Sequence, residues 1–450
     1  MTVQTLSRRL VASTVSVLVI LLASCGVAPR EDLARSARPA AGRDEAPHAI
    51  SEPDGTVLVA WGSVDEDGRA DILVSRWGEA PVRVNPTPST AVAGRQVGPR
   101  IARLASGRLL VSWVGRGADS AGDILLSASD DGGRRFSPPL RVNDDPIGAG
   151  QEYQDLAVLP GDRVALVWLD ERNAPSDKPN QKQVYFAESS DGGKTFGRNR
   201  PLTVSPDGVC TCCRPGIAAE ADGTIHVVYR DRSGAELFIR ELTLRPGDPA
   251  PAAPVTVSTG GWRFQACPTD APSIRVGPAG SIHVGWMDGT SGEPALWRAE
   301  SRDGGRSFSS PAPLESSPSV QLSLASSGAG LAIPEAGALA CCVLGEPHAQ
   351  PGRAAWAHDP RWGFAAAWET SDGRVRCALS ASPSSESVSV DAPEGTSAQS
   401  PQLISTPDGF VVIWVETRWR EPPGGGAPRL EGRLRRAQLK VSEGAITLSP

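Results

Sequence analysis

The chain has 450 residues, a formal net charge of −6 at pH 7 and an aromatic content of 5%. Its 48 glycines and 40 prolines separate short runs rich in valine, isoleucine, leucine and tryptophan, a composition that favours strands and turns over helices. A chain of this charge lacks the basic surface that nucleic acids require. We therefore predict an all-β protein that does not bind nucleic acid.

The N-terminus has the pattern of an export signal. An apolar run over residues 11–22 follows a charged start and leads into Leu22-Ala23-Ser24-Cys25. This tetrapeptide resembles the lipobox of bacterial lipoproteins, which implies a signal peptide over 1–24 and a lipid on Cys25 that holds the protein to a membrane. An ordinary secretory signal is the alternative. Both predict an exported protein, and the lipid predicts a place in the bacterial cell envelope, facing the periplasm or the cell surface.

Residues 25–47 contain alanine, arginine, proline and acidic residues without apolar periodicity. Such a composition is typical of a flexible tether. The folded domain is predicted to extend over 48–445.

A strand-like segment that alternates and ends in an aromatic residue recurs along this domain. Its seven copies are Val57 to Trp61, Leu109 to Trp113, Val164 to Trp168, Ile225 to Tyr229, Ile282 to Trp286, Phe364 to Trp368 and Val411 to Trp414. Successive copies are separated by about the length of one four-stranded propeller blade, and the longest step indicates an insertion between 316 and 353. One such unit leaves an apolar face exposed, so we expect the units to pack against one another.

The pattern Ser-x-Asp-x-Gly-x-x-Phe occurs three times, at 129–136, 189–196 and 301–308. Each copy follows a strand-like run, so we expect a hairpin turn in which the aspartate accepts backbone N–H groups and a glycine adopts a positive φ. The aspartates are Asp131, Asp191 and Asp303.

This pattern resembles the Asp-box, or bacterial neuraminidase repeat, of sialidase-like β-propellers. The resemblance implies a β-propeller in which the three aspartates are structural. The repeat count suggests seven blades. Sialidases have six, and six remain the alternative if the N-terminal unit completes the last blade.

Six cysteines precede segments that we predict to be innermost strands. Cys210, Cys212 and Cys213 come before 216–220, Cys267 before 273–276, and Cys341 and Cys342 before 353–357. In a propeller, the loops that enter the innermost strands emerge on one face, so the six sulfurs are expected to converge near the mouth of the central channel. Three disulfides are the default in an oxidising compartment, with Cys377 left as a buried thiol on a strand. A thiolate site for Cu(I) or Zn(II) is the alternative.

A possible catalytic pair lies in the second unit. The segment Pro99-Arg100-Ile101-Ala102 and the later Asp119 are similar to the first catalytic blade of sialidases. The resemblance implies that Arg100 binds a substrate carboxylate and that Asp119 transfers protons. Ala102 replaces the proline of the family motif, however, and no tyrosine follows Tyr229, although the family's nucleophilic tyrosine lies late in the chain.

Three functions remain open on this basis. The leading hypothesis is a lipid-anchored, non-catalytic module that binds a glycan or protein ligand on a cysteine-rich face. The second is a sialidase or another glycoside hydrolase. The third is a copper- or zinc-binding protein of the envelope.

Overall fold

The computed structural model describes residues 42–450 except 95, 117–121, 146–147, 179–180, 264–270, 291–294, 314–353, 360, 362, 371–372, 380–387, 391–392, 422–428, 443–444 and 449–450. These residues form β-strands, with short 3-10 turns at Pro160–Asp162 and Pro278–Gly280. The described part of the chain contains no helix that is long and apolar enough to cross a bilayer. The nearly all-β architecture agrees with the sequence prediction.

Among the described residues the strands pair in five sheets, one of which has 13 strands, and their pairings divide into seven units, each built on a four-stranded antiparallel meander. The first three units and the linking strand β5 comprise β1 (Arg43–Ser51), β2 (Val57–Val64), β3 (Ala70–Arg76) and β4 (Val82–Arg83); β5 (Ala91–Val92); β6 (Arg100–Arg103), β7 (Leu109–Gly115), β8 (Asp123–Ser129) and β9 (Leu140–Arg141); and β10 (Gln151–Leu159), β11 (Arg163–Asp170), β12 (Gln183–Ser189) and β13 (Arg200–Pro201).

The fourth unit carries a fifth strand, β18, which pairs with β16. The remaining units comprise β14 (Gly216–Ala219), β15 (Ile225–Ser233), β16 (Glu236–Leu244), β17 (Val255–Thr256) and β18 (Trp262–Arg263); β19 (Ser273–Val276), β20 (Ile282–Asp288), β21 (Ala295–Ser301) and β22 (Ala312–Pro313); β23 (Ala354–Asp359), β24 (Gly363–Glu369), β25 (Val375–Leu379) and β26 (Val388–Val390); and β27 (Ser397–Thr406), β28 (Gly409–Arg420), β29 (Arg429–Ser442) and β30 (Ala445–Leu448).

The second strand of a unit is buried on both faces because it lies between two neighbouring units. In β7, Leu109 and Trp113 pack in a core shared with the first unit, whereas Leu110 and Val114 pack in a core shared with the third. The strands were predicted to alternate and to end at the aromatic. In β7, instead, every residue is buried, Ser112 included, and the strand continues to Gly115. Antiparallel pairing with the third strand carries it past the aromatic residue.

The repeated aromatic residue always faces the preceding unit. Trp113, Trp168, Tyr229, Trp286, Trp368 and Trp414 enter the core shared with the unit before them, and Trp61 enters the core shared with the seventh unit. The repeat is therefore a packing signal. Truncation of one such tryptophan to alanine is expected to cost about 3–5 kcal/mol.

The three Asp-box turns share one geometry. In the second of them, Asp191 Oδ1 accepts the backbone N–H groups of Lys194 and Thr195 at 3.0 and 2.9 Å. Burial raises the pKa of Asp191, but hydrogen bonds from Thr195, Ser189 and Lys194 outweigh it and hold the pKa well below its usual range. Gly193 has a φ of 80° and faces Leu110 of the preceding unit. The turn thus also fills space between two units.

The equivalent aspartates of the other two turns make the same bonds. Asp131 accepts from Arg134 and Arg135, and Asp303 accepts from Ser307. Each aspartate stabilises its own backbone turn, and none of the three lines the central cavity described below.

The first unit begins earlier than predicted. Residues 43–47 were assigned to the flexible tether, yet β1 starts at Arg43. The reason is Asp44, whose Oδ1 accepts from Trp61 Nε1 at 3.0 Å and whose Oδ2 accepts from the backbone of Leu434 at 3.2 Å. Buried polar contacts of this kind order a segment that has no apolar periodicity.

Candidate ligand-binding site

The first strands of the units surround a cavity of about 450 Å³, here called the central cavity. Each of the seven units contributes lining residues, at positions 48–51, 100, 155–156, 214 with 216–217, 272–275, 357 and 402–405. The polar side chains that matter most are those of Arg100, Arg214, Arg275, Asp155 and His48.

Arg100 lies at the start of β6 and is 4% exposed. Its Nε donates to Asp155 Oδ1 at 2.9 Å, and its Nη1 donates to the Pro99 carbonyl at 2.8 Å. Burial lowers the pKa of Arg100, and the charge of Asp155 opposes this shift. Asp155 Oδ2 also accepts the backbone N–H of Ile217 at 3.3 Å. One carboxylate therefore joins the second, third and fourth units.

Arg275 and Arg214 have no such partner. Nη1 of Arg275 donates to the carbonyl of Ile274 at 2.8 Å, and Nε of Arg214 is buried without a hydrogen bond. Within the described parts of the chain, neither forms an ion pair with a carboxylate. Burial lowers the pKa of Arg275, with Asp155 opposing the shift. Two partly buried guanidinium groups thus line the cavity without a direct ion-pair partner among the described residues.

His48 adds a neutral donor. Burial, reinforced by the charges of Arg100 and Arg275, holds the pKa of His48 well below its usual value of 6.5. Its Nδ1 accepts the backbone N–H of Ile101 at 3.1 Å. The ring is therefore neutral at pH 7 with its proton on Nε2.

Three cysteines immediately precede Arg214 and form a buried group, here called the cysteine cluster: Cys210, Cys212 and Cys213. The Sγ of Cys210 lies 3.6 Å from that of Cys212 and 3.4 Å from that of Cys213. All three sulfurs lie within 4.8 Å of one another, and the residues are 1–3% exposed. They pack in the core between the third and fourth units.

The redox states within the cluster differ. Cys212 is joined in a disulfide, whereas Cys210 and Cys213 are thiols, as is Cys377. No disulfide joins Cys210 to Cys213, and the disulfides predicted for Cys267, Cys341 and Cys342 stay a prediction, because these three residues lie outside the described part of the chain. The sulfurs of Cys210 and Cys213 are too far apart for a bond of about 2.05 Å, since the short loop positions them for contact and not for covalent geometry.

The Cys210 thiol is easily ionised. The side-chain hydrogen bond between Cys210 and Cys213, together with the charge of Arg230, outweighs burial and lowers the pKa of Cys210 to about 6. Arg230 is itself buried, and its Nη2 donates to the Met287 carbonyl at 2.8 Å. Cys377 differs, because burial in an apolar core raises its pKa far above the usual value.

The structure thus brings together part of the predicted site. Arg100 lines the central cavity, and Cys210, Cys212 and Cys213 meet near its wall. Asp119, Cys25, Cys267, Cys341 and Cys342 lie outside the described residues. Arg214, Arg275, Asp155 and His48 were missed, because a single polar residue on or beside a short strand gives no signal in the sequence.

No protein-family model matches the chain, and no curated protein matches it. Among solved structures, it is similar to an ulvan lyase of polysaccharide lyase family PL25, with a TM-score of 0.50 and 10% identity over 91% of this chain and 96% of that chain. The shared architecture is nearly all-β and of the propeller type.

Two further similarities are weaker. A protein of unknown function from Dyadobacter fermentans DSM 18053 has a TM-score of 0.44 and 13% identity over 88% of this chain and 96% of that chain. The Hadza microbial sialidase Hz136 has a TM-score of 0.42 and 18% identity over 61% of this chain and 59% of that chain. At such identities the likeness concerns the fold alone.

Proposed function

We propose that the chain is an exported, lipid-anchored binding protein whose seven units are the blades of one closed propeller, and that it holds an anionic ligand in the central cavity. Closure is supported by the seven apolar cores, each of which lies between neighbouring units, including the seventh and the first. The first strands of the seventh and first units are also in contact.

The charge of the central cavity carries the functional proposal. Three guanidinium groups face one carboxylate among the described lining residues, and that carboxylate is already bound to Arg100. Arg214 and Arg275 are partly buried and form no ion pair with a carboxylate among the described residues, an arrangement that costs free energy. An anion in the cavity offsets that cost, and its carboxylate or sulfate oxygens suit the planar fork of an arginine.

The size of the cavity narrows the ligand class. A volume of about 450 Å³ lies in the range of small-molecule sites and suits one or two sugar rings. His48 supplies a neutral donor that suits hydroxyl groups. We assign the ligand to the acidic sugars, in which one carboxylate accompanies several hydroxyls.

Binding is favoured over hydrolysis by what lines the cavity. Glycoside hydrolysis usually needs two carboxylates, or a tyrosine nucleophile in the case of sialidases. Among the described lining residues Asp155 is the one carboxylate, and Tyr153, Tyr185 and Tyr229 are all elsewhere. Asp155 is held by Arg100 and the Ile217 N–H, which leaves it poorly placed to transfer a proton.

The test is calorimetric titration of the mature exported protein with N-acetylneuraminate, galacturonate and neutral galactose. We expect an acidic sugar to bind and galactose not to bind. Arg275→Gln should weaken binding about 10- to 100-fold, the effect of losing one charged hydrogen bond. Arg302→Gln is the control, because its side chain is 83% exposed on the outer surface.

Equal affinity of the Arg275→Gln and Arg302→Gln proteins, or no binding of either acid, would refute the anion site. Release of free sugar from a fluorogenic sialoside would replace binding with hydrolysis. The anchor is tested separately, by whether Cys25→Ala moves the protein from the membrane to the soluble fraction.

A further inference from the structure

The second and third strands of the seventh unit are longer than those of the other units. Strand β28 continues six residues past its aromatic, Trp414, whereas the other second strands continue one to four residues past theirs. At about 3.4 Å per residue, β28 and β29 extend roughly 7–17 Å further than their counterparts. The last three pairs of these strands, here called the projecting hairpin, are Arg418 with Glu431, Trp419 with Leu430 and Arg420 with Arg429.

The two faces of the projecting hairpin differ in character. Trp419 and Leu430 lie opposite each other on one face, and Trp419 is 54% exposed, the largest apolar side chain that is exposed among the described residues. The other face carries three arginines, each about half exposed, and one glutamate: Arg418, Arg420, Arg429 and Glu431. An indole of this kind suits the boundary between water and a lipid bilayer, where one end of the ring is in an apolar medium and the other is hydrated.

The chain enters the fold beside this hairpin. Arg43, the first residue of β1, pairs in parallel with Gly432 of β29. Gly432 lies three residues, or about 10 Å, from Arg429. Because the two strands are parallel, the N-terminal end of β1 faces the same side of the molecule as the projecting hairpin. A lipid on Cys25 is joined to the fold through this end.

We propose that the projecting hairpin docks on the bilayer in which the lipid of Cys25 is inserted. This inference rests on the lipid anchor proposed above. The lipid already holds the chain at the bilayer, so docking is intramolecular and a small contact is sufficient. Covering the exposed part of Trp419 removes roughly 100 Å² of apolar surface from water, which favours the docked state by about 50-fold.

The charges around the hairpin indicate which lipids are needed. Arg418 and Arg420 share the carboxylate of Glu431, each at 3.2 Å, and Arg429 pairs with Glu66 of the first unit. The adjoining Glu421 is exposed, so the three arginines face three glutamates and the local charge is close to neutral. The contact is therefore apolar, and zwitterionic lipids are sufficient for it.

The experiment compares two forms of the full mature chain in the presence of the same phosphatidylcholine vesicles. One is the wild type, inserted through its lipid, and the other is Cys25→Ala, which carries none. Brief exposure to hydroxyl radicals, followed by mass spectrometry of peptides, gives the oxidation rate of each tryptophan. We expect Trp419 to be oxidised at least about fivefold more slowly in the anchored protein. Trp297, half-buried in the fifth unit, is the internal control and should react equally in both.

A pair of surface variants tests the role of the indole itself. The measurement is the rate at which trypsin cleaves after Arg420, at the end of β28. Docking should protect this bond in the anchored wild type, and anchored Trp419→Ala should be cleaved as fast as Cys25→Ala. Val204→Ala is the matched control, because it removes an exposed apolar side chain between the third and fourth units, and it should stay protected. Equal cleavage of anchored Trp419→Ala and Val204→Ala would contradict docking through Trp419.

The other outcomes separate the docking from the anchor. Equal oxidation of Trp419 in the anchored and unanchored proteins would overturn the docking and leave the anchor intact, since the mass of the wild type reports the lipid directly. Slow oxidation in both would mean that another part of the chain covers Trp419, and protection that grows with the number of copies per vesicle would indicate a second copy. Either result refutes docking on the bilayer. A wild type whose mass lacks the lipid would refute the anchor and the docking together.

Discussion

The ion pair between Arg100 and Asp155 provides a direct test of how the units are joined at the centre. The two side chains are 5% and 14% exposed, and Asp155 also accepts the Ile217 N–H from a third unit. Asp155→Ala would leave a guanidinium buried without its counter-charge. Breaking a buried pair in this way typically costs about 3–5 kcal/mol.

The corresponding change in melting temperature follows from the size of the domain. With an unfolding entropy of about 2.1 cal/mol/K per residue, a domain of roughly 400 residues loses about 1.2 °C for each kcal/mol. Asp155→Ala should therefore lower Tm by about 4–6 °C. The assay is calorimetry, with urea unfolding as an independent measure of the free energy.

Two comparisons make the result interpretable. Replacing both partners, in Arg100→Leu with Asp155→Leu, should recover most of the loss because no unpaired charge remains. Glu300→Ala breaks the exposed pair with Arg302 and should cost less than about 1 kcal/mol. If Asp155→Ala costs no more than Glu300→Ala, the pair does not hold the units together and the reasoning fails.

Two other contacts between or within units have measurable consequences. Burial lowers the pKa of His226, but hydrogen bonds to Glu241 and Glu220 at 2.8 Å outweigh burial and raise the pKa above 6.5. The protonated ring therefore stabilises the fold fully below pH 6.5, and this stabilisation is lost as pH rises through the folded-state pKa. Urea unfolding of the wild type should show this decline in the free energy of unfolding and His226→Gln should not; an unchanged pH profile in the variant would contradict the prediction. In the same assay, Gly193→Ala should destabilise the protein more than Gly68→Ala. Both positions have a positive φ, at 80° and 75°, but a Cβ at Gly193 would lie 3.2 Å from Leu110, whereas a Cβ at Gly68 would have nothing within 4 Å. Equal losses of stability would mean that the turn does not pack against the neighbouring unit.

Much of the architecture could be predicted from the sequence because each unit repeats the same pattern of strands and turns. In each unit, the aromatic residue of the second strand packs against the preceding unit, so this residue recurs along the chain at a regular spacing. The short strand β14 begins at Gly216 as predicted, since the cysteines and a proline end the loop before it. Strand ends were less predictable, because they depend on pairing with a strand elsewhere in the chain.

The central cavity was accessible only in part. Arg100 was found through its resemblance to a known motif, whereas Arg275 and Asp155 had none. Arg275 and Asp155 come from different units and become neighbours in the cavity only when the units pack together, so neither could be recognised as a site residue in the sequence. The cysteines could be placed together from the topology, but the redox state of Cys210 depends on distances that no spacing reveals.

The bond between Asp44 and the backbone of Leu434 joins positions 390 residues apart. Bringing such distant positions together costs about 5 kcal/mol of chain entropy, from (3/2)RT ln n, which the contacts between the first and last units must offset. The second, third and later units meet their neighbours as soon as these are synthesised, but the first unit must wait for the last. The face of the first unit that packs against the seventh, which includes Val59 and Trp61, stays uncovered until the seventh unit has been synthesised. Because a chain is synthesised from its N-terminus, this face stays uncovered longest, and it is the surface that a chaperone or a misfolded neighbour would contact first.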